Sequence, residues 1–160
     1  MAKQQKRASV YMNIAYEMAS LSSCLKNSVG AVLVRDNMII STGYNGTPKG
    51  VLDCDKGGCA RCKDEAVKSG TQLERCICVH AEQNAIVQAA FNGISTRDSV
   101  LYCTHKPCAE CVKLLINAGV TKVFYHKEYP VEYGNALTEN ISIVSITKFV
   151  RKYESTWVLT

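Results

Sequence analysis

The chemistry in this chain concentrates in two short runs, His80-Ala-Glu82 and Pro107-Cys-Ala-Glu-Cys111. Cys108 and Cys111 stand at i and i+3, which on a helix points both sulfurs at one ion. His80 adds a third donor. One imidazole and two thiolates make a zinc site with an open fourth position, the catalytic rather than the closed structural pattern. Glu82, two residues from His80, is placed to reach a water there without ligating the metal. Zinc lowers the pKa of bound water towards neutrality, and a neighbouring carboxylate can take that proton and return it to a substrate ring nitrogen and then to a leaving amine. Alone, each run is ambiguous: H-x-E is commonly a solvated helix start, and C-x-x-C serves redox or structural ends equally well.

The elements around them decide the matter. Val10, Ile14, Ala15, Met18 and Leu21 recur at helical spacing and predict a first amphipathic helix over about 8–23. Gly30–Arg35 and Met38–Thr42 are apolar, β-branched runs split by Asp36-Asn37, which reads as a hairpin. Ala85, Ile86, Ala89 and Ala90 line a second helix stopped by Gly93, and Val100–Cys103 is a short strand. A third helix covers about 108–118, stopped by Gly119. Lys122–His126 and Ile141–Ile146 are two more strands, with a last helix near 131–139 between them. This order predicts an α/β fold with a central mixed five-stranded sheet flanked by helices, its part around Val100–Cys103 made parallel by the strand–helix–strand crossovers on either side. Both chemical runs then open helices, where free N–H groups and the dipole favour negative charge.

The chain has 160 residues, 47% hydrophobic, with nineteen Lys plus Arg against fourteen Asp plus Glu. That suits one domain, 1–160, with no apolar run long enough to span a membrane. The basic stretch Lys3–Arg7 is followed by Asn13 and Glu17 before any sustained apolar core, so no export signal is read, and Lys3–Arg7 is expected to be a solvated tail. Nine cysteines, an odd number, then point to thiolate or metal chemistry in a reducing, cytoplasmic setting rather than to a disulfide framework. Apolar periodicity disappears between about 47 and 79, where five of those cysteines lie, and a loop of that length needs something to tie it down.

Taken in order, the two runs form the H-x-E…P-C-x-x-C signature of zinc nucleobase deaminases. The chain resembles the cytidine deaminase superfamily, and within it the deoxycytidylate (dCMP) deaminases. The resemblance runs from about Tyr11 to Tyr129 through Ser28-Val-Gly-Ala-Val32, Gly43-Tyr-Asn-Gly46, the Cys-rich insertion, His80–Ala85, Pro107–Cys111 and Val123-Phe-Tyr125. It implies a three-layer cytidine-deaminase-like fold and hydrolysis of dCMP to dUMP and ammonia, supplying thymidylate synthesis. It makes His80, Cys108 and Cys111 the zinc ligands and Glu82 the proton shuttle. It places Asn45 on the sugar hydroxyl, the Ala81 backbone on the base and Tyr125 against the ring. Gly43, Tyr44, Asn45 and Gly46 would contact allosteric nucleotides, dCTP as activator and dTTP as inhibitor, with Mg on the triphosphate, in a homohexamer. No stable nucleic-acid partner and no membrane are implied.

Many members of that family hold a second, structural Zn with a Cys before the Val-Gly-Ala-Val strand and others in the insertion. The matching set here is Cys24, Cys54, Cys59 and Cys76, with Cys62 or Cys78 as alternates, while Cys103 reads as a core residue. For the substrate phosphate, the candidates are Arg35, Lys49, Arg61, Lys63, Arg75 and Lys106. Two alternatives remain open: a relative acting on dCTP, tRNA adenosine, guanine or polynucleotide cytosine, and a non-catalytic zinc-stabilised binding module. Glu82 speaks against the module, because a structural zinc needs no carboxylate beside a three-ligand site.

Overall fold

Polar residues begin the first helix. In the computed structural model, which describes residues 3–146, α1 runs over Lys3–Ala19 instead of 8–23. Lys, Gln and Arg are strong helix formers, so Lys3–Arg7 is the opening of the helix rather than a tail, and the Arg7 guanidinium donates to Asn37 Oδ1 at 2.8 Å. The helix ends early because serines follow it, and Leu21, counted in its stripe, is exposed. The segment from Thr147 on, which matched no sequence pattern, lies outside the described residues.

Strands β1 (Gly30–Arg35) and β2 (Met38–Tyr44) form the expected hairpin. Asp36 and Asn37 both take positive φ, 51° and 62°, the pair of left-handed residues a tight hairpin with the right twist requires. With β3 (Val100–His105), β4 (Lys122–Lys127) and β5 (Ser142–Ser145) they make one sheet in the order β2-β1-β3-β4-β5. β2 and β3 are each antiparallel to β1, hence parallel to one another, and β3–β4–β5 are parallel neighbours. α3 (Ala81–Phe91) and α4 (Ala109–Asn117) are therefore crossovers between parallel strands, as expected. α5 spans only Asn135–Thr138.

Alternation along β1 builds two cores. Ala31 and Leu33 join Leu101, Cys103 and Val123 under α3 and α4, whereas Val32 and Val34 join Tyr11, Met12 and Ala15 of α1 on the other face. The result is three layers with the mixed sheet in the middle. Two glycines set how closely the helices approach. A Cβ on Gly30 would sit 1.9 Å from the Ala15 carbonyl oxygen of α1, and one on Gly43 would sit 2.2 Å from the Ala81 carbonyl oxygen of α3.

The insertion carries two single 3₁₀ turns, Cys54–Lys56 and Leu73–Arg75, and a short α2, Ala60–Lys63. Its interior is sulfur: Cys54, Cys59, Cys62 and Cys78 are buried, with Cys24 and Cys76 packed on them. No helix among the described residues is long and apolar enough to cross a membrane.

Candidate active site

The site forms where two helix N-termini meet beyond the C-terminal end of β3. His80 caps α3 and Cys108 caps α4, and Cys111 lies one turn into α4. The His80 Nδ1 is 3.3 Å from Cys111 Sγ and 3.5 Å from Cys108 Sγ. Tetrahedral zinc with one nitrogen and two sulfurs at usual bond lengths separates N from S by about 3.5 Å, so the donor set fits the metal. Gln83 accepts from the His80 backbone N–H at 2.9 Å and pins the cap. Hydrogen bonding from the Cys111 thiol, aided by the His80 imidazole, holds Cys108 down at about 4 against burial. The same hydrogen bond and burial push Cys111 up, and the bond to Cys108 raises His80.

Glu82, 4% exposed, sits in the first turn of α3 beside these donors. Burial raises its carboxyl above the ordinary range, although the His80 charge opposes this. Among the described residues no buried side-chain nitrogen or oxygen lacks a partner. Cys103 of β3 is fully buried, as expected of a core residue, and burial, with the nearby Glu82 charge, holds its thiol well above the ordinary range.

A cleft opens from these residues towards the insertion. Asn45, Ala81, His105, Lys106, Arg61 and Tyr129 line it together with His80, Glu82 and Cys108. Asn45 is buried, and its side chain is largely committed to the scaffold. Its Oδ1 accepts from Val29 N–H and the Ser22 hydroxyl, and its Nδ2 donates to Asn27 C=O, at 2.7 to 2.8 Å. One amide N–H remains for a ligand. Ala81 brings its backbone to the cleft at the start of α3. Tyr125 does not reach the cleft; its hydroxyl donates to Glu128 at 2.6 Å, and the aromatic wall is Tyr129.

Of the basic candidates, Arg61 and Lys106 line the cleft. Arg61 is 3% exposed and holds the insertion instead, donating to the carbonyls of Lys68 and Thr71. Lys106 lies 3.6 Å from the Glu128 carboxylate and over the Tyr133 ring. Arg35 donates to the Ser95 carbonyl, away from the cleft.

Residues 5–127 match the model of the cytidine and deoxycytidylate deaminase zinc-binding region. The chain belongs to that family. It is 37% identical over 142 residues to a deoxycytidylate deaminase of Schizosaccharomyces pombe, an alignment covering 89% of this chain and 44% of the relative. A deoxycytidylate deaminase of Saccharomyces cerevisiae is 38% identical over 78% of this chain and 38% of its own length. The chain thus spans less than half the length of these two relatives. The crystal structure of a dCMP deaminase from the cyanophage S-TIM5, in complex with dCMP and dUMP, matches with a TM-score of 0.72 and 32% identity over 91% of this chain and 99% of that one.

The expected structural quartet Cys24, Cys54, Cys59 and Cys76 does not converge as one group. The cysteines form two overlapping groups, Cys24–Cys54–Cys62–Cys78 and Cys59–Cys62–Cys76–Cys78, with all sulfurs of each within 4.8 Å of one another. Burial pushes Cys54 up to about 11 and Cys62 to about 12, and raises Cys78 as well. Against burial, the Cys62 and Ile77 backbone N–H groups and neighbouring thiols hold Cys59 at about 6. Gly43, Asn45 and Gly46, expected to contact nucleotides, each have a local task. Gly43 admits α3, Asn45 ties β1 to the preceding loop, and Gly46 exchanges two backbone hydrogen bonds with Val79. Tyr44 is exposed, and its carbonyl accepts from Asn84.

Proposed function

We propose that the chain hydrolyses dCMP to dUMP and ammonia. One observation carries this reading: His80, Cys108 and Cys111 converge at the floor of a cleft with the buried Glu82 carboxyl beside them. A zinc ion held by those three side chains supplies, when bound, Lewis acidity that brings water towards ionisation at neutral pH. Glu82 holds and moves the proton. Its raised affinity for a proton suits delivery first to the pyrimidine N3 and then to the leaving amine. The remaining Asn45 N–H and the Ala81 backbone offer hydrogen bonds to the sugar and the base, and Tyr129 offers a ring face. The net positive charge of +5 suits a substrate phosphate, and Lys106 at the cleft wall is the cation best placed to meet it.

The test is ammonia release from dCMP, dCTP, CMP, deoxycytidine and a cytosine-containing oligonucleotide, with wild type and Glu82→Gln side by side. Turnover of dCMP alone is expected, falling by about 10²- to 10⁴-fold in Glu82→Gln with zinc retained. Turnover of the oligonucleotide alone moves the chain to the editing branch.

The finer parts of the proposal rest on the family resemblance. These are supply of dUMP for thymidylate synthesis, activation by dCTP and inhibition by dTTP with Mg, a homohexamer, a cytoplasmic setting and structural zinc, of whatever number, in the insertion. Light scattering with and without each triphosphate, alongside dCMP saturation curves, tests assembly and regulation together.

A further inference from the structure

We propose that the insertion holds two zinc ions in one six-thiolate centre, with Cys62 and Cys78 shared between them as bridges. This inference is independent of the proposed reaction. Six sulfurs from four stretches of chain meet there: Cys24 before β1, Cys54 at a 3₁₀ turn, Cys59 and Cys62 around α2, and Cys76 and Cys78 before α3. None is in a disulfide. The two groups of four they form have Cys62 and Cys78 in common, which is the connectivity of two tetrahedra sharing an edge.

Three of the sulfur separations match that geometry, and the rest lie within 4.8 Å. A tetrahedral ion with Zn–S bonds near 2.3 Å separates its sulfurs by about 3.8 Å. Cys24–Cys62 is 3.9 Å in the first group, while Cys62–Cys76 is 3.7 Å and Cys59–Cys76 is 3.9 Å in the second.

Counting ligands favours two ions over one. One tetrahedral ion takes four thiolates. Filling the first group alone strands Cys59 and Cys76 as reduced thiols against Cys62 and Cys78, and filling the second strands Cys24 and Cys54. Two ions use all six. The charge is no heavier than that of an ordinary four-cysteine site: six thiolates and two divalent ions sum to −2, as do four thiolates and one. A counter-charge is in place, since the Arg61 guanidinium, 3% exposed, directs an N–H at the bridging Cys62 sulfur from 3.7 Å. Soft thiolate donors in tetrahedral array select zinc over harder divalent ions.

The experiment counts metal in the intact protein, expressed with zinc and freed of loose ions. Elemental analysis and native mass spectrometry are expected to give three zinc ions per wild-type chain and two per Cys108→Ser chain, the difference being the site on α3 and α4. After cadmium exchange, ¹¹³Cd NMR is expected to show two all-thiolate resonances split by coupling to each other through the bridges. Two ions in wild type with one in Cys108→Ser, and two insertion cysteines open to alkylation, overturns the proposal. Three ions with uncoupled cadmium resonances overturns the shared thiolates, and iron in place of zinc overturns the choice of metal. None of these readouts depends on turnover, so loss of the proposed reaction leaves the count intact.

Discussion

Gly43 of β2 lies directly beneath Ala81 of α3, so closely that a Cβ on Gly43 would stand 2.2 Å from the Ala81 carbonyl oxygen and 2.5 Å from the Ala85 nitrogen. Both obstacles are backbone, so neither can rotate away. The helix turn they belong to carries His80 and Glu82. Gly43→Ala therefore lifts the turn that aims both side chains, at a cost of about 1–3 kcal/mol for overpacking. A lower melting temperature together with weaker zinc retention in a chelator competition is expected. An unchanged zinc affinity would show that α3 does not depend on this contact for its aim.

Asn45 gives a second prediction. Replacing it by Ala leaves the Val29 N–H and the Asn27 carbonyl without their partner, and each of these part-buried bonds is worth about 0.5–1.5 kcal/mol. Asn45→Asp keeps the acceptor for Val29 and Ser22 but turns a lone pair on Asn27, so it too is destabilised, by less. Denaturant unfolding of both variants, in which Ala loses about 1–3 kcal/mol, checks the scaffold role separately from any effect on the KM for dCMP.

The pH response of His105 follows from its burial. Burial first, and then the charges of Lys127 and His126, depress it from 6.5 to about 4. The Thr104 hydroxyl accepts from Gly30 N–H at 3.2 Å and lies 2.9 Å from His105 Nδ1, so its own proton is free to satisfy the neutral ring. Because the folded pKa lies below the unfolded one, the contribution to stability is complete above pH 6.5 and drains away as pH falls from there to about 4. The span is on the order of 3 kcal/mol. NMR titration of the ring is expected to give a midpoint near 4, and one near 6.5 would remove the argument.

Metal removal should act first on the insertion. Stripped of ions, residues 47–79 keep little apolar burial besides their five cysteines and Val67, and a loop that cannot bury apolar surface does not hold its shape. A strong chelator is expected to open trypsin cleavage at Lys56, Lys63 and Lys68 while the sheet stays resistant. Continued resistance at those lysines would show that the insertion is ordered without metal.

The legible parts of this molecule were those with a period or a fixed spacing. The β1–β2 hairpin, the crossovers through α3 and α4 and the convergence of His80, Cys108 and Cys111 all follow from local patterns that the tertiary structure has no reason to override. The errors fall where local signals compete. α1 began early because Lys and Gln sustain a helix without apolar contacts, and it stopped before Leu21 because serines bond to the preceding backbone. Tyr125 and Tyr129 are four residues apart, and only the turn after β4 decides which ring reaches the cleft. The pairing of six cysteines depends on four separate stretches meeting in space, which no spacing encodes. Arg61 carried no signal of burial, since its partners are the carbonyls of Lys68 and Thr71.

Val79 stands between Cys78 and His80, and its two backbone hydrogen bonds with Gly46, 3.2 and 2.8 Å long, fasten it to the end of β2. That fastening isolates one side from the other. Residues lost, gained or exchanged on the insertion side shift chain only as far as Val79, and the histidine beyond it keeps its address. The stretch between Gly46 and Val79 can thus change length without moving His80, while its Arg61, Cys76 and Cys78 still shape the wall of the cleft.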